Sequence, residues 1–249
     1  MLTKGSAQAM KTIVVIQARM GSTRLPGKIL MPLGDHDNLY YVTARCKRIP
    51  GVDEVIVATS RLAQDDAVQQ WCDKHQIVCS RGSEEDVLSR FMEAAKPYQP
   101  VFVVRVTADC PFVDIEMAQD MIRLIQEKGV DIVDLSAALP RGLAVEVLSY
   151  SVLQYMDEHG QEPRHREHVT YYAYEYKEQF KRAAYLPPAN RLYPQLRITL
   201  DTAEDYALIS AIAQHFNDPY VSSEEVIQYL LEHPELASLN AHVEQKPVV

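Results

Sequence analysis

The 249-residue sequence predicts an α/β fold with a mostly parallel sheet between layers of helices, because two kinds of segment alternate along it. One kind is a short, continuous, β-branched run, which fits a strand buried on both faces better than a half-exposed one. The other is a longer stretch whose apolar residues fall on one helical face. "TIVVIQA" (12–18) opens the series, and "EVIVATS" (54–60), "IVCS" (77–80), "VFVVRVT" (101–107) and "DIVDLS" (131–136) continue it. Val87, Leu88, Phe91, Met92 and Ala95 line one helix between runs, and Ile115, Ala118, Met121, Ile122 and Ile125 line another. The rhythm breaks near residue 136. Segment 137–195 reads as a small inserted subdomain that covers a site or forms a dimer contact, after which a strand "QLRITL" (195–200) and a helix over 202–216 restore the pattern.

Hydrophobic residues make up 47% and charged residues 24%, which permits one large core. A formal charge of −9 argues against general nucleic-acid binding, which leaves a basic footprint, but still allows a local basic pocket for a small phosphorylated molecule. Cys46, Cys72, Cys79 and Cys110 form no C-x-x-C pair and read as isolated thiols in a reducing compartment. Cys72 and His75 have C-x-x-H spacing without a second ligand pair, so a helix face is expected there rather than zinc. Residues 1–10 lack the apolar centre of a secretory signal and read as a tail, as do 241–249, with Met10 an alternative start. No run approaches the roughly 18 apolar residues of a membrane span. A cytoplasmic protein with no membrane or nucleic-acid partner is expected.

The chemistry concentrates in "ARMGSTRLPGKIL" (18–30), directly after the first strand. A Walker A loop needs G-x-x-x-x-G-K-[ST]; here five residues separate Gly21 from Gly27, and Ile29 stands where the hydroxyl should be. Pro26 also removes one backbone donor, and no G-x-G-x-x-G is present. What remains is a loop with Arg19, Arg24 and Lys28 at a strand's C-terminal end, where open α/β sheets gather ligands. Arginine suits bidentate contact with phosphate oxygens, and lysine supplies a compact point charge.

"QARMGSTRLPGKIL" resembles the opening signature of the cytidylyltransferases that make CMP-sugars, in particular the spore coat polysaccharide biosynthesis protein F family, with 3-deoxy-manno-octulosonate and acylneuraminate cytidylyltransferases as relatives. "RGSEEDVLSRF" (81–91), "VVRVTADCPFVD" (103–114), "PRGLAVEVLS" (140–149), "REHVT" (166–170) and "RITLDTAEDY" (197–206) match in the same order. The resemblance implies a single domain over 11–240 with the three-layer, Rossmann-like fold of nucleotide-diphospho-sugar transferases. It also implies a homodimer and the reaction of CTP with a sugar to give CMP-sugar and pyrophosphate, with Mg2+. Arg19, Arg24 and Lys28 would hold the triphosphate, with Gly21 and Ser22 in the same loop and Gln17 and Ala18 lining the nucleotide.

Asp109 follows the strand "VFVVRVT" and Asp201 closes "LRITL", so both would project from the sheet's C-terminal edge. Carboxylates with phosphate oxygens suit Mg2+, which makes this pair the candidate metal ligands and, with Lys28 and Arg24, the candidate catalytic set. Asp201 also stands where a helix cap would, but Thr202 and Asp205 already form an [ST]-x-x-[DE] box. Ser83 and Asp86 make a second such box, and the resemblance sets Gly82 and Ser83 beside the base or ribose. Arg105, inside a buried strand, needs a carboxylate or a phosphate as partner. His159, His165 and His168 have no completing zinc ligands, with Arg164 and Arg166 nearby, and read as a solvated helix face or part of a sugar pocket. Arg141, Glu146, Arg166 and His168 are the candidates for that pocket, mainly through the family motifs. Two rivals stay open: a glycosyltransferase of related fold, which would centre on a D-x-D motif, and a non-catalytic nucleotide-binding protein. The Asp131 and Asp134 spacing matches D-x-D only weakly, and the chain is read as lacking that motif.

Overall fold

The computed structural model describes residues 10–244, so most of the expected tails over 1–10 and 241–249 lie outside the described residues. Its strands are β1 (Thr12–Gln17), β2 (Pro32–Leu33), β3 (His36–Asp37), β4 (Glu54–Ser60), β5 (Val78–Gly82), β6 (Phe102–Thr107), β7 (Ile132–Leu135), β8 (Glu146–Ser149) and β9 (Arg182–Tyr185). Its helices are α1 (Asn38–Lys47), α2 (Asp66–His75), α3 (Val87–Ala95), α4 (Ile115–Lys128), α5 (Tyr150–His159), α6 (Pro163–Glu167), α7 (Tyr171–Glu175), α8 (Ala203–Phe216), α9 (Ser223–Glu232) and α10 (Pro234–Ala237).

The continuous apolar character of β1 follows from its place at the centre of the molecule. Val14 and Ile16 enter one core with Leu39 and Val42 of α1, Val68 of α2 and Met121 of α4. Ile13 and Val15 enter another with Leu88 and Phe91 of α3 and Leu153 of α5. Successive strand side chains point to opposite faces, so a strand covered on both sides has no polar face to write. A third core joins Leu33, Phe112 and Ile198 to Leu208 and Ile212 of α8 and Ile227 of α9.

The main sheet has the order β5-β4-β1-β6-β8-β7-β9, with β2 and β3 forming a separate hairpin. β5, β4, β1 and β6 run parallel, β8 lies antiparallel between β6 and β7, and β9 is parallel to β7. From β1 the chain winds outward through β4 to β5 and then returns to β6 on the other side of β1. The winding therefore reverses at the carboxyl ends of β1 and β6, the switch point at which open α/β sheets bind ligands. The cationic loop leaves β1 there, and Asp109 follows β6 there. Segment 137–195 supplies β8, β9 and α5 to α7, with both strands in the main sheet.

Two local expectations are corrected. "QLRITL" is extended but is not a strand; its one ladder contact is an isolated bridge between Arg141 and Arg197. It runs across loops instead of along the sheet: the Ile198 amide donates to Arg141 O at 2.8 Å and the Leu200 amide to Asp109 O at 2.8 Å. Gly142 makes that crossing possible, because its φ is 99° and a Cβ there would lie 2.1 Å from Ile198 O. The second correction concerns "GSEED": α3 is capped by Asp86, whose carboxylate accepts from the Ser89 amide at 2.9 Å, three residues later than a Ser83 cap would place it. Ser83 Oγ accepts from the Asp86 amide in the turn before it.

Arg191 is fixed by three acids. Its Nε donates to Asp114 at 3.0 Å, Nη1 to Glu224 at 3.0 Å and Nη2 to Glu116 at 3.1 Å. Asp114 also accepts from the Met117 amide as the cap of α4 and from Ser223 Oγ, so one buried carboxylate ties α4 to the start of α9.

Candidate active site

The signature loop is braced at its root and folded back on itself. The Met20 amide donates to Asp65 at 2.6 Å, and Asp65 also accepts from Ser60 Oγ at the end of β4. Met20 O accepts from the Ser22 and Gly27 amides at 2.9 and 3.2 Å. Gly27, at φ 71°, makes the left-handed turn that starts the short 3-10 turn Lys28–Leu30. Ser22 Oγ accepts from the Leu25 amide at 3.3 Å, and Ala18 is buried with its amide on Ala58 O. Gly21 faces the Gln64 amide group, 2.9 Å from where a Cβ would stand, and Glu84 lies beside it.

All three loop cations are paired with acids from elsewhere. Arg19 meets Glu84 at 3.2 Å, and Arg24 meets Asp201 at 3.2 Å. Lys28 Nζ bridges two carboxylates, 2.6 Å from Asp201 and 3.0 Å from Asp109. Burial alone would depress the Lys28 ammonium, but Asp109 and Asp201 raise it above its ordinary value. Burial would likewise raise the Asp109 carboxyl; Lys28 and the Thr107 hydroxyl outweigh it and hold the group at about 2. At neutral pH this is an ammonium between carboxylates.

Asp201 is aimed by its neighbours. Thr202 and Asp205 form the expected capping box on α8, which leaves the Asp201 side chain to the site. Asp205, fully buried, accepts the Asp201 amide at 2.9 Å and Arg197 Nε at 2.8 Å, while Arg197 Nη2 reaches Asp201 at 3.1 Å. Sequence reasoning singled out neither Arg197 nor Asp205 as a support for the site. The available signal was the R-x-x-x-D-x-x-x-D spacing of "RITLDTAED", which sets one guanidinium under both acids.

The other candidates are less concentrated. Arg105 finds its partner in Glu146 across β6 and β8, at 2.6 Å, and its Nη2 donates to Gln17 at 3.3 Å. Glu146 also accepts from Thr170 at 2.9 Å and Tyr174 at 3.3 Å. Arg166 donates twice to Asp86, at 2.9 and 2.7 Å, and to the Asp157 carboxylate at 2.8 Å and carbonyl at 3.0 Å, so α6 grips the cap of α3. Gly82 lies against Arg90, whose Nη1 donates to Ser83 O at 2.5 Å; sequence reasoning did not find this fully buried arginine under the loop. The Arg141 side chain is exposed and makes no ion pair among the described residues, and His168 is half-buried near Tyr171. His165 is not on a solvated face: it is buried, its Nε2 2.7 Å from Glu175.

Several rival chemistries lose their residues. Burial, and then Asp109, push the Cys110 thiol up to about 12, so it is no nucleophile at neutral pH. The expected absence of D-x-D is corrected, since Asp35-His36-Asp37 has that spacing. Asp37 in it caps α1 and accepts from Trp71 Nε1 at 2.6 Å, which makes it structural. Asp109 and Asp201 fit a divalent metal: carboxyl groups from separate segments converge closely enough to share one cation, and hard oxygen donors suit Mg2+.

A family model described as cytidylyltransferase matches residues 13–240. The spore coat polysaccharide biosynthesis protein SpsF of Bacillus subtilis is 35% identical over 232 residues, covering 91% of this chain and 96% of that protein. A cytidylyltransferase structure from Leptospira borgpetersenii superposes with a TM-score of 0.86 at 31% identity, covering 96% of this chain and 99% of that one. CMP:2-keto-3-deoxy-manno-octonic acid synthetase complexed with CTP shares the fold, with a TM-score of 0.64 at 16% identity over 83% of this chain and 99% of that one. With the ordered motifs, the reversing sheet and the loop at its switch point, these matches establish that the chain belongs to the cytidylyltransferase family.

Proposed function

We propose that the chain transfers CMP from CTP to a hydroxyl of a sugar, giving CMP-sugar and pyrophosphate. The observation that carries this is the meeting of Arg24 and Lys28 with Asp109 and Asp201 at the carboxyl ends of β1 and β6, with Arg19 of the same loop on Glu84. The sugar's anomeric oxygen attacks the α-phosphorus of CTP in line; a phosphorus–oxygen bond forms to the sugar, the bond to the β-phosphate bridge breaks, and the hydroxyl proton leaves to solvent. Arg24 and Lys28 offset the charge that builds on the departing pyrophosphate, and Arg19 orients the triphosphate. Asp109 and Asp201 would hold Mg2+, which would supply neutralisation of phosphate charge. Arg197 and Asp205 keep Asp201 in register for that task. Gln17, Ala18, Gly21, Ser22, Gly82 and Ser83 line the nucleotide, and Arg105 steadies Gln17 from below.

Arg141 and His168 contact the sugar, while Glu146 and Arg166, already engaged by neighbouring side chains, shape its pocket. The sugar is a sugar acid or a related component of a bacterial surface or spore coat polysaccharide, in line with the names of the relatives. The active species is a cytoplasmic homodimer with segment 137–195 at its contact. No helix among the described residues is long and apolar enough to cross a membrane, which fits soluble substrates.

Pyrophosphate release, measured with each nucleoside triphosphate against a panel of ulosonic acids and other bacterial sugars, tests the assignment. CTP with one sugar class is expected to release pyrophosphate. Turnover of a nucleotide sugar to nucleoside diphosphate instead would make the protein a glycosyltransferase, and CTP binding without turnover on any sugar would make it a non-catalytic binder.

A further inference from the structure

Lys28 stands where a cation shared by Asp109 and Asp201 would stand. Its Nζ touches one oxygen of each, across sequence separations of 81 and 173 residues, and its side chain is 12% exposed. Arg24 takes the second oxygen of Asp201, and Arg19 takes Glu84. Every positive charge of the signature loop is thus neutralised by a carboxylate of the same crevice. A triphosphate arriving alone must draw Lys28 and Arg24 away from Asp109 and Asp201, leaving those carboxylates uncompensated beside more negative charge. A divalent metal arriving alone meets an ammonium already on the oxygens it needs. Each ligand removes the obstacle to the other: phosphate takes the lysine, and the metal takes the carboxylates.

We propose that Lys28 is a placeholder for the divalent metal, so that metal and nucleoside triphosphate enter as a mutually dependent pair. The inference rests on the proposed function for the identity of the nucleotide, but not for the competition between Lys28 and the metal. Because coupling between two ligands is reciprocal, the factor by which the triphosphate tightens metal binding equals the factor by which metal tightens the triphosphate. The lysine is suited to this exchange: it is a point charge on a flexible stem with rotatable donors, where an arginine fork would lock both acids in place.

Mn2+ serves as the probe, with free ion counted by electron paramagnetic resonance and the fold of each variant checked by circular dichroism. In the absence of nucleotide, Lys28→Met and Lys28→Gln are expected to bind Mn2+ at least about tenfold more tightly than the wild type, since a unit charge beside the site has been removed. Lys28→Arg should show no such gain. Adding Asp201→Asn to Lys28→Met should abolish the gain, and CTP should tighten Mn2+ binding to the wild type by at least about tenfold. Equal affinity of the wild type and both neutral variants for Mn2+ would overturn the proposal, as would a gain that survives Asp201→Asn. Failure of CTP alone to tighten Mn2+, with the neutral variants still showing their gain, would instead count against CTP as the nucleotide.

Discussion

Among the clusters that gather carboxylates around one cation, those of Arg191 and Lys28 are built from different cations for different ends. Arg191 spends three nitrogens on three acids, Asp114, Glu116 and Glu224, in a planar fork that matches each at 3.0 or 3.1 Å. Lys28 offers one atom to two acids and sits at the base of a glycine-containing loop. The first arrangement ties α4, α9 and the segment before residue 192 together and has nothing to exchange. The second is satisfied by the same kind of partner but holds it with a group that rotates and withdraws. An ion-pair cluster is therefore told apart as staple or site by the geometry of its cation more than by the number of acids it contains.

Neutralising one member of each cluster separates their roles most clearly. Asp201→Asn is expected to lower kcat by about a thousandfold, the scale seen when a single group that stabilises charge in the transition state is removed, with the unfolding midpoint little changed. Arg191→Met should do the reverse. Stranding buried Asp114 without its cation costs about 3 kcal/mol of stability, read from urea unfolding, while turnover of the folded fraction stays the same. If Arg191→Met removed activity without destabilising the fold, the division between staple and site would be wrong.

Arg166 lies between the two types. It contacts Asp86, the cap of α3, and through it the loop that carries Gly82 and Ser83. Arg166→Met is expected to raise KM for the nucleotide about tenfold with a smaller effect on kcat, as for a lost positioning contact. Arg166→Lys should recover only part of this, because a point charge cannot reproduce the two-pronged contact. Equal losses in kcat and KM-independent stability would assign Arg166 to the scaffold alone.

The smallest expected effect concerns pH. The Asp109 carboxyl is held at about 2 against an ordinary 3.8, so its contribution to stability is present above 3.8 and fades as pH falls through 2. Lys28 is shifted upward from 10.5, so its share is present below that value and lost only as pH rises past its raised one. The stability gap between the wild type and Asp109→Asn in urea titrations should be flat through neutral pH and close between 3.8 and about 2. A gap that changes between pH 5 and 9 would place the charge balance of the triad elsewhere.

What the sequence made legible follows from how local each signal was. The parallel core strands announced themselves because burial on both faces leaves an uninterrupted apolar run, as in β1 and β4. The signature loop stood out because three cations within ten residues are unusual without an anion to meet. "QLRITL" misled because Leu196 and Ile198 serve the third core while its backbone bonds to loops, a distinction that lies in the partner and not in the segment. Glu84 and Arg197 were quoted within motifs, yet their partners lie 65 residues away in one case and in a capped turn in the other. The sugar-side residues were the least legible: Glu146 and Arg166 carry charge that a pocket would use, but tertiary pairing with Arg105, Asp86 and Asp157 engages it.

The most direct test of the account is a crystal structure with CTP and Mg2+ bound. Lys28 Nζ is predicted to have left Asp109 and Asp201 for a phosphate oxygen, with the metal between those two carboxylates and Arg24 on the triphosphate. A triphosphate bound away from the 18–30 loop, with Lys28 still bridging Asp109 and Asp201, would contradict it.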